Sequence, residues 1–447
     1  MLSKIIAVLK DLPGELVHHI LGHIATPKEG YALAPCATVS DKWQQVVESL
    51  SFTEVTIHLT NASILSGETT PQTLANIISG TRLRSLRKLR LIIDFDPLSF
   101  TSVTDSLQRR MKLGSDFVDV VDGFVDTMNS WKREALFDLE IHEEQSCGHH
   151  LNHFGSDFVH GPRRSIQCVR SIRLMEYNCD RCRCCSYRGL LSYLCTAMSG
   201  SGSLDGITYE YQERVPRNRA IHYERWDFLP LGLKSLTIIN NEQSGDEREI
   251  VLAHSALNRS LMNISCQLKT LRVSHSLDVV SLFLSCAIST GLNARWHHLQ
   301  HISMTCAALG LNGEILEMEM TLLAKAVQQM PSIKKIELWS AKTKDQSYFS
   351  YTVDGRDARA VWEMSWDFRV SEALADAWSL TARQDTWRDL TIEVRRFVPD
   401  DGGEREPLAA SAFSGERLYS ADDCRKPRFG IPYSNQFEYS YEYEVWG

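Results

Sequence analysis

One short pattern, apolar-x-x-apolar-x-apolar, recurs along most of the chain. It reads FTEVTI (52–57), LRKLRL (86–91), LFDLEI (136–141), VRSIRL (169–174), LDGITY (204–209), LKSLTI (233–238), LKTLRV (268–273), LQHISM (299–304), IKKIEL (333–338) and WRDLTI (387–392). The alternation in each second half is that of a short, half-buried strand. The central apolar residues are Val55, Leu89, Leu139, Ile172, Ile207, Leu236, Leu271, Ile302, Ile336 and Leu390, separated by 34, 50, 33, 35, 29, 35, 31, 34 and 54 residues. Seven separations cluster between 29 and 35, so the two long ones mark insertions near 92–138 and 340–386. Between the anchors lie stretches of helical period: 117–128, 189–198, 248–262, 277–289 and 314–330.

Strand followed by helix, many times over, with each unit burying its face only against its neighbours, is how a solenoid reads from sequence. The pattern resembles a leucine-rich repeat of the irregular kind, because the period is long and the usual Asn after the strand is missing in most units. The expected fold class is α/β, an N-terminal three-helix module at 1–53 followed by a solenoid of short parallel strands and helices at 54–398. A compact α/β domain is the alternative, since its parallel strands are also apolar and joined by helices. Within 340–386, Tyr348–Val353 and Val361–Trp366 alternate around Asp354-Gly355, a hairpin signal that places Trp362, Met364 and Trp366 on one face. Residues 399–427 carry charge, Gly and Ser without period and read as a flexible loop, and Phe437 to Val445 alternate as a capping strand within 428–447.

At the other end, Leu16, Val17, Ile20, Leu21 and Ile24 form one continuous helical face behind Pro13, which suits a first turn because its missing N–H has no acceptor there. A second helix follows Ser40, a candidate cap, with Val39, Trp43, Val46, Val47 and Leu50 at helical spacing. Pro35 in the segment between them breaks or delays a middle helix. Fifty residues of short helices bury too little surface to stand alone and need a partner.

Leu-Pro-x-Glu-Leu at 12–16 followed by Val-Ser-x-x-Trp at 39–43 resembles the F-box, as found in fungal-type F-box proteins, over about residues 9–53. The resemblance implies docking on a Skp-type adaptor of a cullin ubiquitin ligase through Leu12, Pro13, Glu15, Leu16, Ile20 and Leu21, with Trp43 knitting the helices together. The alternative is a helical cap covering the first strand of the larger domain.

Composition changes this picture little. With 447 residues, 43% hydrophobic and 23% charged, the chain is an ordinary globular protein, and its net charge of −8 gives no reason to expect nucleic acid. No apolar run approaches the roughly 18 residues of a bilayer span, and the N-terminal IIAVL is too short for a signal core. A reducing compartment, cytoplasmic or nuclear, is expected, with the 12 cysteines mostly thiols.

Enzyme motifs are missing: there is no Gly-x-Ser-x-Gly, His-Glu-x-x-His or P-loop, and neither catalysis nor a cofactor is expected. The one chemical signal is Cys179, Cys182, Cys184 and Cys185, near His149, His150 and His153. Cys-x-x-Cys is zinc-ligand spacing, but the run after Cys182 is too tight for a regular finger; redox-sensitive thiols beside Arg181 and Arg183, or inert ones, are the other readings. The expected function is therefore that of a substrate-receptor subunit holding an unidentified protein target. The positions alternating with the buried ones would meet it: Lys88, Arg90, Ser171, Arg173, Thr270, Arg272, His301, Ser303, Lys335, Glu337 and Trp339.

Overall fold

The computed structural model describes residues 12–24, 34–60, 71–94, 103–131, 136–143, 165–175, 188–199, 202–211, 228–240 except 231, 261–283 except 263 and 281, 296–310, 313–339, 347–383 and 389–396. The cysteine run 179–185, the histidines at 149–153, the loop at 399–427 and the capping strand at 428–447 lie outside the described residues, as does most of the helix expected at 248–262.

Among the described residues twelve strands form one open sheet whose order in space is their order in the chain: β1 Glu54–Thr60, β2 Lys88–Asp94, β3 Phe137–Glu143, β4 Val169–Met175, β5 Gly206–Tyr211, β6 Ser235–Asn240, β7 Thr270–Asp278, β8 His301–Thr305, β9 Lys335–Trp339, β10 Tyr348–Asp354, β11 Asp357–Met364 and β12 Asp389–Arg396. Strands β1 to β9 are parallel, β10 is antiparallel to both its neighbours, and β12 returns parallel to β11. Among the described residues no strand is inserted between two earlier ones, whereas a doubly wound sheet reverses its order at a switch point.

Helices among the described residues are α1 Gly14–Ile24, α2 Asp41–Ser51, α3 Pro71–Ile77, α4 Thr81–Ser85, α5 Val103–Ser130, α6 Arg188–Met198, α7 Gly313–Val327 and α8 Glu372–Arg383, with 3-10 turns at Ala34–Thr38 and Ala307–Gly310.

Nine of the ten anchors fall in a single row across the sheet. Val55 pairs with Leu89, Leu89 with Leu139, and the row runs on through Ile172, Ile207, Leu236, Leu271, Ile302 and Ile336. It then passes through Tyr351 and Ala360 to Ile392. The tenth anchor, Leu390, is two residues off this row, opposite Ala358. Register is this uniform because a slip of one residue would turn a strand's whole apolar set into water.

The stretch 340–386, expected as an insertion, is a continuation of the sheet: it supplies β10, β11 and then α8, with Gly355 at φ 57° in the turn between the two strands. That left-handed value favours glycine. The long interval at 92–138 is filled mainly by α5, 28 residues long. Gly123 within it lets the Pro71 ring press against the helix, where a Cβ would collide. The Tyr193 hydroxyl donates to Asp122, tying α6 to α5, and the Thr381 hydroxyl donates to the Ala324 carbonyl at 3.0 Å, tying α8 to α7.

The core is one continuous cluster between the apolar sheet face and these helices, and it closes at its C-terminal end on Phe349, Tyr351, Trp362 and Trp378. Among the described residues no helix is long and apolar enough to cross a membrane.

The first helices have a separate small core of Val17, Leu21, Trp43 and Val47. Ser40 caps α2 by accepting from the Trp43 N–H at 3.4 Å. The trio meets the body through Arg82 of α4, whose guanidinium lies 2.8 Å from Glu48 and stacks over the Phe52 ring.

Candidate interaction surface

Alternation along each strand leaves one sheet face to the helices and turns the other, polar, face away from the main core. One row of that face reads Thr56, Arg90, Glu140, Arg173, Thr208, Thr237, Arg272, Ser303, Glu337 and Ser350; the next reads Glu54, Lys88, Asp138, Ser171, Gly206, Ser235, Thr270, His301, Lys335 and Thr352. Every strand residue expected to meet a target lies here.

The face divides into three zones of different chemistry. On β1 to β5 it is a charge network centred on Glu140, whose side chain is 8% exposed. Lys88 approaches it at 2.9 Å, Arg90 at 3.1 Å, His142 at 3.2 Å and Arg173 at 3.7 Å, and Arg173 also reaches Glu210 at 3.8 Å. Burial pushes the Glu140 carboxyl up, but His142, Lys88 and Arg90 outweigh it and hold the carboxyl well below its usual range. The expected contact residues Arg90 and Arg173 are therefore committed to carboxylates of the chain itself.

On β5 to β8 the face is rich in hydroxyls, with Thr237, Ser274, Ser303 and Thr305 all buried. On β9 to β12 ion pairs return. Lys335 lies 2.7 Å from Glu337, which also accepts from the Tyr348 hydroxyl at 3.0 Å, and Arg359 makes a two-pronged contact with Glu393 at 2.9 and 2.8 Å. Burial, reinforced by the Glu337 charge, raises the Tyr348 phenol above its ordinary value.

Trp339, expected as an exposed anchor, is instead 2% exposed. Parity does put it on this face, but Thr305 and Tyr348 flank it in register, and the ring is covered.

The N-terminal apolar stripe also divides. Leu21, expected in the docking set, and Trp43, expected to knit the helices together, are both interior to the trio, whereas Leu16 is 48% and Ile20 37% exposed. Pro13 and Glu15 are exposed as well and Leu12 is half-buried. Two positions four apart, Val17 and Leu21, face Trp43, and the neighbouring pair Leu16 and Ile20 turns outward.

Sequence reasoning passed over Glu140 and Glu210. Their signal lay in the alternation of "LFDLEI" and "ITYEY", which sets each carboxylate on the face that carries Arg90 and Arg173. Among the described residues no group of three or more His, Cys, Asp or Glu could hold a metal ion. The buried thiols Cys168 and Cys195 are pushed upward by desolvation, Cys168 to about 12, so both stay protonated and unreactive.

What the fold defines is an α/β protein with a long open sheet in chain order and one polar face. Residues 229–407, which span β6 to β12, match the model of a family described as "family of unknown function (DUF6546)". No curated protein and no solved structure matches the chain.

Proposed function

We propose that the protein is a substrate-receptor subunit of a Skp–cullin–F-box ubiquitin ligase. In this reading the first three helical segments are an F-box, the sheet with its helices is an irregular leucine-rich-repeat-like solenoid, and the polar face binds the protein to be modified. The supporting observation is the N-terminal trio: a small core of its own, mounted on the first repeat, with Pro13, Leu16 and Ile20 on its outside. Such a subunit makes and breaks no bonds. It would accelerate ubiquitin transfer by holding a target amine close to the conjugating enzyme, a gain in effective concentration. A scaffold without a ligase is the rival, favoured by the contact of Glu48 and Phe52 with Arg82, which is how a helical cap would also be seated.

Leu16→Glu combined with Ile20→Lys separates the two. Both new side chains are good helix formers and form an i,i+4 pair, so the thermal midpoint should stay close to wild type. Two apolar side chains buried at an interface contribute about 1.5–3 kcal/mol each, so affinity for a purified Skp-type adaptor should fall by about a hundredfold or more. Wild-type protein that fails to capture the adaptor, or a double variant that captures it equally well, rules the receptor reading out.

A further inference from the structure

We propose that the centre of the polar sheet face, on β7 to β9, binds a phosphate group through Arg272 and Ser303, with His301 and Lys335 beside them. Arg90, Arg173, Arg359 and Arg395 on the same face each have a carboxylate partner. Arg272 has none among the described residues, and the residue is half-buried rather than enclosed. In register with it on the next strand is Ser303, 3% exposed, whose Oγ has no hydrogen-bond partner among the described residues. A buried hydroxyl without a partner costs about 1–3 kcal/mol, and a site that keeps one is a place where a ligand can supply the missing bond.

Strands in register lie about 4.8 Å apart, so Arg272 and Ser303, and His301 and Lys335 in the adjoining row, occupy neighbouring positions on one sheet face, a spacing comparable to one tetrahedral anion. The carboxylate nearest these positions is Glu337, opposite Ser303, and it is already engaged by Lys335 and Tyr348. Burial together with Lys334, Arg272 and Lys335 holds the His301 imidazole below its ordinary value although Glu337 pulls the other way, and three of the four charges acting on it are thus cationic. A planar guanidinium presenting paired donors is the group best matched to phosphate oxygens, and a hydroxyl completes the set as a neutral donor.

The site needs no adaptor, so its test is independent of the receptor reading. Inorganic phosphate titrated into the full chain, followed by phosphorus NMR line broadening and by calorimetry, should show saturable binding. Arg272→Ala should weaken it by about tenfold or more, while Arg359→Ala, on the same face but distant in the sheet, should leave it unchanged. Ser303→Ala supplies a readout that misfolding cannot mimic: in phosphate-free buffer its thermal midpoint should equal or exceed wild type, yet its phosphate affinity should fall.

A parallel titration with a phosphoserine peptide identifies the source. Tighter binding than inorganic phosphate means a phosphorylated side chain is the ligand, and equal or weaker binding means a free phosphate, either result upholding the site. Wild-type protein without saturable phosphate binding, or R272A binding with wild-type affinity, overturns the proposal. Adaptor capture by R272A should be unaffected, which keeps this outcome distinct from failure of the receptor reading.

Discussion

Trp378→Ala is expected to cost about 3–5 kcal/mol of folding stability, the range for removing a fully buried aromatic ring. Trp378 projects from α8 into the C-terminal end of the core with 0% exposure. Its ring centroid lies 4.9 Å from Phe349, 5.0 Å from Tyr351 and 6.5 Å from Trp362. These rings come from β10, β11 and α8, so one deletion removes the shared packing of the last helix on the antiparallel hairpin. The surrounding aromatics are rigid and too large to collapse into the gap. Trp378→Phe should cost far less, about 1–2 kcal/mol, because most of the ring remains and the indole N–H has no hydrogen-bond partner among the described residues to lose. Urea unfolding with a constant slope across the three proteins measures both values. A cost for the alanine variant below about 1 kcal/mol, typical of a surface position, would mean that α8 does not pack as described.

Glu140→Ala should cost about 3 kcal/mol, the lower end for breaking a buried ion pair. The lower end applies because Lys88, Arg90 and Arg173 keep 29%, 30% and 27% of their side chains exposed and can be partly rehydrated. Loss of the carboxylate leaves three cations crowded on neighbouring strands. The sign of the pH dependence follows from the depressed folded-state value of Glu140. Its contribution is fully present above the unfolded carboxyl value of about 4.3 and is lost as the pH falls below that toward the folded value. The stability gap between wild type and Glu140→Ala should accordingly be present at neutral pH and shrink below about pH 4. A gap that went on growing below about pH 4 would contradict the network.

The succession of strands was legible because one physical rule is repeated ten times. An alternating strand with one buried face has a single tolerable register, and nine anchors chosen from sequence lie in one row of the sheet. Leu390 departs from it on β12, which among the described residues has a neighbour on one side only and so is less constrained. The hairpin of β10 and β11 was visible in its alternation around Asp354-Gly355, but its place in the sheet was not. Strands that pair antiparallel through a two-residue turn need no crossover helix and therefore fall outside the period.

Which residues share a face could be read from parity alone, as for Arg272 and His301. How far each is covered could not. Trp339 has the parity of its polar neighbours and is nevertheless buried between β8 and β10, because coverage depends on which strands lie alongside and not on parity. The same holds at the N-terminus, where the stripe Leu16, Val17, Ile20, Leu21 is two residues wide and only the position of Trp43 decides which half turns inward.

Hydrogen exchange of the full chain, with and without a saturating Skp-type adaptor, tests most directly whether the N-terminal trio is a docking module on a separate body. The account predicts new protection confined to residues 12–24 and 34–51, with strands β2 to β9 exchanging as before. Protection that spreads along the sheet while the trio is unchanged, or no change anywhere, would contradict it.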